Sequence, residues 1–328
     1  MCGDGAQPPP SSKFNLGVNS LNTANPIIPK GRSGKGKLYK YWYPYFYLLP
    51  AAVVVITIIG YPVVRAVVTS LFHDNPLNPK MTFVGFSNYV SVLEDHVFHV
   101  AVLNSLIWIF GIVLFQFGLG MIGALLLNEK FRGRGVVRGL VLIPWATPSV
   151  LAAMMWIWIL DANHGVVNDL LTRMGLSFLS QPWFSQPHTA LPALMLIDIW
   201  QGVPFFAVMI LAALQTIPED LVEASFLDGA TAWNTFWQVK FPIILPTVLI
   251  TTLLRIVWTA SYMDLILVIT QGGPGYATLT VPAYAYYMAY SDLNFGGATA
   301  TAVLQGLALL GVVLVYLKIL TKQGILEK

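Results

Sequence analysis

The chain has 328 residues, 56% of them hydrophobic and only 10% charged, with a formal net charge of +3. Soluble domains carry about 25% charged residues, so most of this surface faces something other than water, and the small charge gives nucleic acid no footing. A single cysteine, Cys2, excludes a disulfide framework and a thiolate metal centre.

Residues 1–38 are rich in Pro, Ser, Asn, Gly and Lys and show no periodicity. Such a segment buries too little apolar area to offset its ordering entropy, and is expected to be a flexible cytoplasmic tail ahead of one transmembrane domain, 39–328. It is not read as a cleavable signal, because the first long apolar run begins only near Tyr45. Gly31–Lys37 matches the first seven positions of a phosphate-binding P-loop. The eighth is Leu38 where Ser or Thr must hold magnesium, and no strand precedes it, so a basic tail drawn to an anionic leaflet is expected instead.

A helix crossing about 30 Å of hydrocarbon needs about 20 apolar residues. Six stretches qualify, roughly 45–71, 100–127, 136–160, 189–214, 243–270 and 298–320. An all-α membrane protein of six transmembrane helices is therefore expected. The aromatic run Tyr39–Tyr47 suits the headgroup belt, and Pro62, Pro144, Pro148 and Pro204 should each bend a span. Fourteen of the eighteen Lys and Arg fall in the two ends and in alternate connections, against Lys80 and Arg173 in the others. This bias places both termini in the cytoplasm, as an even number of spans requires.

Arg65, Arg255, Asp198 and Asp264 lie within spans. A charge at bilayer centre costs about 2.5–3.5 kcal/mol, so each must snorkel, pair or face a wet path. For the two arginines a helix-end or packing-pair role is expected, and for Asp264 a place near the pathway mouth. Gly120 with Ala124, and Ala298 with Ala302 and Gly306, form small-residue stripes that allow close helix contact. His96 and His99 have the spacing of a ligand pair, but no third ligand is placed, and a solvated loop is the plainer reading. No nucleophile–base constellation stands out, so hydrolysis on this chain is not expected.

The connection 216–246 differs from the rest. Thr216 and Glu219 are spaced as a capping box, Leu221, Ala224, Ser225 and Asp228 recur at helical spacing, and Gly229 can end the helix. Trp233, Phe236 and Trp237 follow, with Pro242 and Pro246 leading into the fifth span. The pattern predicts a helix–turn–helix elbow whose apolar surface is a contact site.

Glu223-Ala224-Ser225, three residues, Gly229, nine residues, then Val239-Lys-Phe241-Pro242 resembles the EAA loop of binding-protein-dependent ABC importer permeases. The family pattern has Ala, Ile and Leu where this chain has Ser225, Val239 and Phe241. Leu49-Pro50, Tyr61-Pro62, Phe83–Tyr89 and Thr270-Gln-Gly-Gly-Pro274 are similar to MalF/UgpA-type carbohydrate permeases, so that the likeness covers roughly 44–322. The resemblance implies a type I importer (MetI-like) permease core in a bacterial or archaeal inner membrane. It implies as partners a MalG-like second permease, two ATPase subunits holding ATP and Mg, and an extracytoplasmic solute-binding protein. It also implies that Glu223, Ala224, Ser225, Asp228, Gly229 and Pro242 couple to the ATPase, and that the cargo is a sugar, oligosaccharide or polyol, glycerol-phosphate less so. No cofactor is expected on this chain. Asn104, Trp200, Gln201 and Tyr262, with Asp264, are candidate pathway residues, since sugars are held by aromatic faces and neutral hydrogen-bonding groups. Each is equally an ordinary packing residue. The rival from another class is an ion-coupled carrier, which would use Asp198 and Asp264 and leave the elbow unexplained.

Overall fold

The structure, a computed structural model, describes residues 35–322. Most of the expected tail therefore lies outside the described residues. Two compact units divide between Thr57 and Ile58. The first contributes helix α1, Lys35–Val55, which is followed by a π-turn at Ile56–Gly60.

The second unit begins with α2, Tyr61–Thr69, and a two-stranded antiparallel hairpin, β1 (Phe72–Asn75) and β2 (Asn78–Phe83), in which Phe72 pairs with Phe83. The hairpin is a small departure from an all-α reading. Asn88 holds it, donating to the carbonyls of Ser70 and Phe72, each at 2.8 Å. Asn88 lies on α3 (Ser87–Glu94). Next comes α4, His96–Asn128, started by Asp95, whose Oδ1 accepts from Val97 N at 2.8 Å.

The third apolar stretch is not one straight span. It forms α5 (Arg134–Val141), α6 (Ile143–Ala146) and α7 (Ser149–Ile159), with a bend of 94° between the two halves. The physical cause is Thr147-Pro148: a residue before proline is pushed to extended backbone, and Thr147 has ψ 124°. Pro204, in contrast, is absorbed inside an unbroken helix. After α8 (Val166–Arg173), that helix is α9, Pro187–Leu214. The elbow helices α10 (Glu219–Leu227) and α11 (Ala232–Thr235) follow. A π-turn at Phe236–Lys240 leads into α12 (Phe241–Ser261), which breaks at Tyr262-Met263 before α13 (Asp264–Ile269). Finally α14 (Val281–Tyr290) and α15 (Phe295–Lys322) close the described chain. By length and apolarity five helical stretches can cross a membrane, or six with the bent pair counted as one span.

The axis of this unit is the seam between α4 and α9. Lipid tails are as apolar as leucine, so helices in a membrane gain from close packing rather than from burial as such. The expected Gly120/Ala124 stripe provides it. A Cβ on Gly120 would stand 2.4 Å from Phe206 Cβ and 3.1 Å from the backbone nitrogen of Ala207, and Ala124 is fully buried. The other expected stripe is a correction: Ala298 is buried, but Ala302 and Gly306 are exposed and nothing among the described residues lies within 4 Å of a Cβ built on Gly306. The buried small residues of α15 are instead Gly296, Gly297, Ala298 and Ala300. Gly296 packs against the carbonyl of Phe72 in the hairpin.

Gly120→Val forces backbone atoms apart and should cost about 1–3 kcal/mol. A thermal melt of the purified chain in detergent reads this as a lowered midpoint, whereas Gly306→Val should leave the midpoint unmoved.

Candidate functional site

Two helix breaks meet at one place. The carbonyl of Thr147, freed at the break before α7, accepts from Gln201 Nε2 at 2.8 Å. The carbonyl of Ala260, freed at the break after α12, accepts from Gln305 Nε2 at 2.8 Å. Asp264 Oδ2, at the start of α13, accepts from Ser149 Oγ at 2.9 Å, at the start of α7. Unpaired backbone groups cost several kcal/mol in hydrocarbon, so interrupted helices persist inside a membrane only where protein or a wet cavity satisfies them.

Between the breaks lies a cavity of about 170 Å³, lined by Trp145, Ser149, Asp198, Gln201, Arg255, Trp258, Thr259 and Tyr262. Phe205 sits between two of these rings, 6.1 Å from Trp145 and 5.2 Å from Trp258 by centroid. Both tryptophans stay about half exposed. The cavity therefore offers aromatic faces held from behind by Phe205, with amide and hydroxyl groups beside them.

Under this cavity is a buried polar cluster. Arg255 Nη2 donates to Asp198 Oδ1 at 3.1 Å, and Arg255 Nε donates to Gln116 Oε1 at 2.6 Å. Gln116 Nε2 in turn donates to the Asp198 carbonyl at 2.7 Å. The cluster joins α4, α9 and α12. Arg255 is thus a packing pair rather than a snorkelling end, while Arg65 is exposed on α2.

The sequence-derived pathway residues fall in different places. Gln201 and Tyr262 line the cavity, with Tyr262 OH 3.5 Å from Gln201 Oε1, and Asp264 touches it through Ser149. Trp200 packs edge-on against Trp156 at 5.7 Å. Asn104 instead clamps the loop before α14, donating to the carbonyls of Tyr276 and Leu279, each at 3.0 Å. Trp145, Ser149, Trp258 and Thr259 also line the cavity and were not singled out in the sequence. Their signal was weak: three flank a helix break, and only Pro148 marks either break by composition.

The elbow is a second candidate site. Helix α10 ends on a left-handed Gly229, φ +84°. Ala230 N bonds the Ser225 carbonyl and Gly229 N the Phe226 carbonyl, each at 3.0 Å, which is the paired geometry of a Schellman stop. Ser225, buried, meets Thr235 Oγ1 at 3.0 Å and so ties α10 to α11. The expected capping box is corrected. Thr216 Oγ1 bonds backward to the Ala213 carbonyl at 2.8 Å, and α10 starts at Glu219 behind Pro218. Glu219 is instead 3.1 Å from Lys130. Glu223, Ala224 and Asp228 are exposed, and Pro242 opens α12. Leu227 is 90% exposed and Trp233 69%, beside Phe226 and Trp237. The elbow thus presents an apolar surface on a rigid backbone.

Broken helices around a polar–aromatic cavity, joined to a pinned elbow, define an integral membrane transport subunit. Residues 116–322 match the family described as binding-protein-dependent transport system inner membrane component, and the chain belongs to that family. It is 34% identical over 275 residues to the trehalose/maltose transport system permease protein MalF of Thermococcus litoralis, covering 84% of this chain and 92% of the relative. It is 37% identical over 278 residues to the sulfoquinovosyl glycerol transport system permease protein SmoG of Agrobacterium fabrum, covering 83% and 88%. The diacetylchitobiose uptake system permease protein DasB of Streptomyces coelicolor is 32% identical over 285 residues, covering 85% and 87%. Among solved structures, a bacterial ABC transporter involved in the import of the acidic polysaccharide alginate superposes with a TM-score of 0.77 over 88% of this chain and 98% of that chain, at 23% identity. That match shows the fold.

Asn104→Leu strands two loop carbonyls and should cost about 1–3 kcal/mol of stability. Hydrogen exchange should show residues 270–280 losing protection first, with the cavity segments unchanged.

Proposed function

We propose that this chain is one permease of an ATP-driven importer for a carbohydrate, and that the sugar passes through the cavity between the two helix breaks. The observation that carries this reading is the pairing of Trp145, Trp258 and Tyr262 with Gln201, Ser149 and Thr259 around one space. Aromatic faces stack on the apolar face of a sugar ring, while neutral donors and acceptors meet its hydroxyls. The names of the relatives MalF, SmoG and DasB supply carbohydrate as the substrate class, with neutral sugars named for MalF and DasB and a sulfonated one for SmoG.

The chain has no motor of its own in this reading. ATP and magnesium belong to two partner ATPase subunits, and a second permease and an extracytoplasmic binding protein complete the assembly. The elbow faces the cytoplasm, as do both termini. Leu227 and the Trp233/Trp237 pair seat in a groove of the ATPase, and Glu223 and Asp228 give polar contacts at its edge. Ala224 keeps the docking face small. Ser225 and Gly229 fix the angle between α10 and α11, so a push on the elbow reaches α12 through Pro242 and its neighbours. ATPase closure then moves the spans as bodies, and the cavity opens to alternate sides.

Three measurements test this. Trp258→Ala should lower sugar uptake about tenfold, about 1.4 kcal/mol of lost stacking, while Trp258→Phe keeps most of it; uptake untouched by the alanine variant removes the cavity from the path. Gly229→Val puts a β-branched residue where φ is +84°. It should abolish co-purification of the ATPase and leave the chain in the membrane. Uptake that survives ATP depletion but collapses with the ion gradient would replace the importer with an ion-coupled carrier.

A further inference from the structure

Arg255 and Asp198 are the only two charged residues among those lining the cavity. Their side chains are 11% and 4% exposed. A guanidinium stays protonated in proteins, so its charge must be met by a partner. Asp198 meets it at 3.1 and 3.4 Å through its two oxygens, and Gln116 fixes the guanidinium from the other side. Gly202 leaves the room for this: a Cβ there would lie 2.1 Å from Gln116 Nε2 and 2.4 Å from Arg255 Nη2. Arg255 Nη1 makes no hydrogen bond to any of the described residues, so one pair of donors on this clamped group is left over. The other polar groups lining the wall are uncharged amides, hydroxyls and indoles, and the Asp264 carboxylate behind Ser149 Oγ, at 2.9 Å, adds a further negative charge and no cation.

We propose that Asp198 is a charge-compensating positioning residue: it cancels the one cationic charge on the cavity wall, so that the site takes uncharged sugars and rejects uronates, sulfonates and phosphates, while Arg255 is kept only as an oriented donor to a sugar hydroxyl. An anionic ligand is refused because the only cation within reach is already paired. Asp198 is anchored in the close-packed α4–α9 seam and cannot step aside. The sugar part of this inference rests on the carbohydrate reading above. The charge part does not.

The test uses the full-length chain in neutral detergent and reads Trp258, one of the two tryptophans on the cavity wall, as the difference between each protein and its Trp258→Phe counterpart. Acrylamide is the neutral quencher and iodide the anionic one. Asp198→Asn should raise the iodide quenching constant at least about threefold with acrylamide nearly unchanged, because an uncompensated cation remains. Asp198→Glu should behave as the parent. Arg255→Gln should shift iodide quenching the opposite way, and the double Asp198→Asn/Arg255→Gln variant should return to the parental value, which keeps the test decisive where one single variant does not fold. The same fluorescence, titrated with glucose and with glucuronate, should show Asp198→Asn moving preference toward glucuronate by at least about tenfold. Iodide constants equal in parent and Asp198→Asn overturn the proposal. An iodide shift with neither sugar binding upholds the charge compensation and defeats the carbohydrate reading. Glucose binding with no iodide shift does the reverse.

Discussion

The constraint on which this structure depends is that a polar group inside hydrocarbon must find its partner within the protein. Two helices break this rule locally, at Thr147-Pro148 and at Tyr262-Met263. The breaks are tolerated because Gln201 and Gln305 each supply an amide donor to a stranded carbonyl, and because Ser149 and Asp264 close the gap between the two new helix starts. The cavity is therefore not a packing defect. It is the space left where side chains, rather than the next helical turn, complete the backbone.

The same logic governs the buried cluster beneath. An isolated charge among helices is costly, and removing one partner of a buried pair typically costs about 3–5 kcal/mol. Arg255, Asp198 and Gln116 come from three helices and share four hydrogen bonds. They lock α12 onto the α4–α9 seam just where α12 is about to break. Gly120 and Gly202 make that seam close enough for the cluster to form. Rigidity below the cavity and interruption around it are thus parts of one arrangement.

Much of this was legible in the chain. Long apolar runs locate the spans, because hydropathy over about 20 residues is a collective signal that single residues cannot blur. The elbow was legible because Gly229 at a fixed distance from Glu223 and Pro242 states a turn, and the turn carries the expected left-handed backbone. What was not legible was pairing across distance. Arg255 and Asp198 stand 57 positions apart, and nothing local to either says which helix face meets which. Asn104 read as a plausible ligand-facing amide for the same reason: its carbonyl partners lie more than 170 positions away. Thr216 shows the opposite failure. Its spacing to Glu219 fits a capping box, but Pro218 lets the helix begin later, and the hydroxyl turns back to the helix it leaves.

The placement of the cavity at helix breaks bears on how such a protein can diversify. Trp145, Ser149, Thr259 and Tyr262 sit at or near helix ends, away from the α4–α9 seam that holds the bundle together. A residue at a helix end can change size or polarity without disturbing a ridge packed along its whole length. On the proposed reading of cavity and elbow, one scaffold can then be retuned to a new cargo by a few substitutions at the breaks, while the seam, which answers to packing, stays as it is.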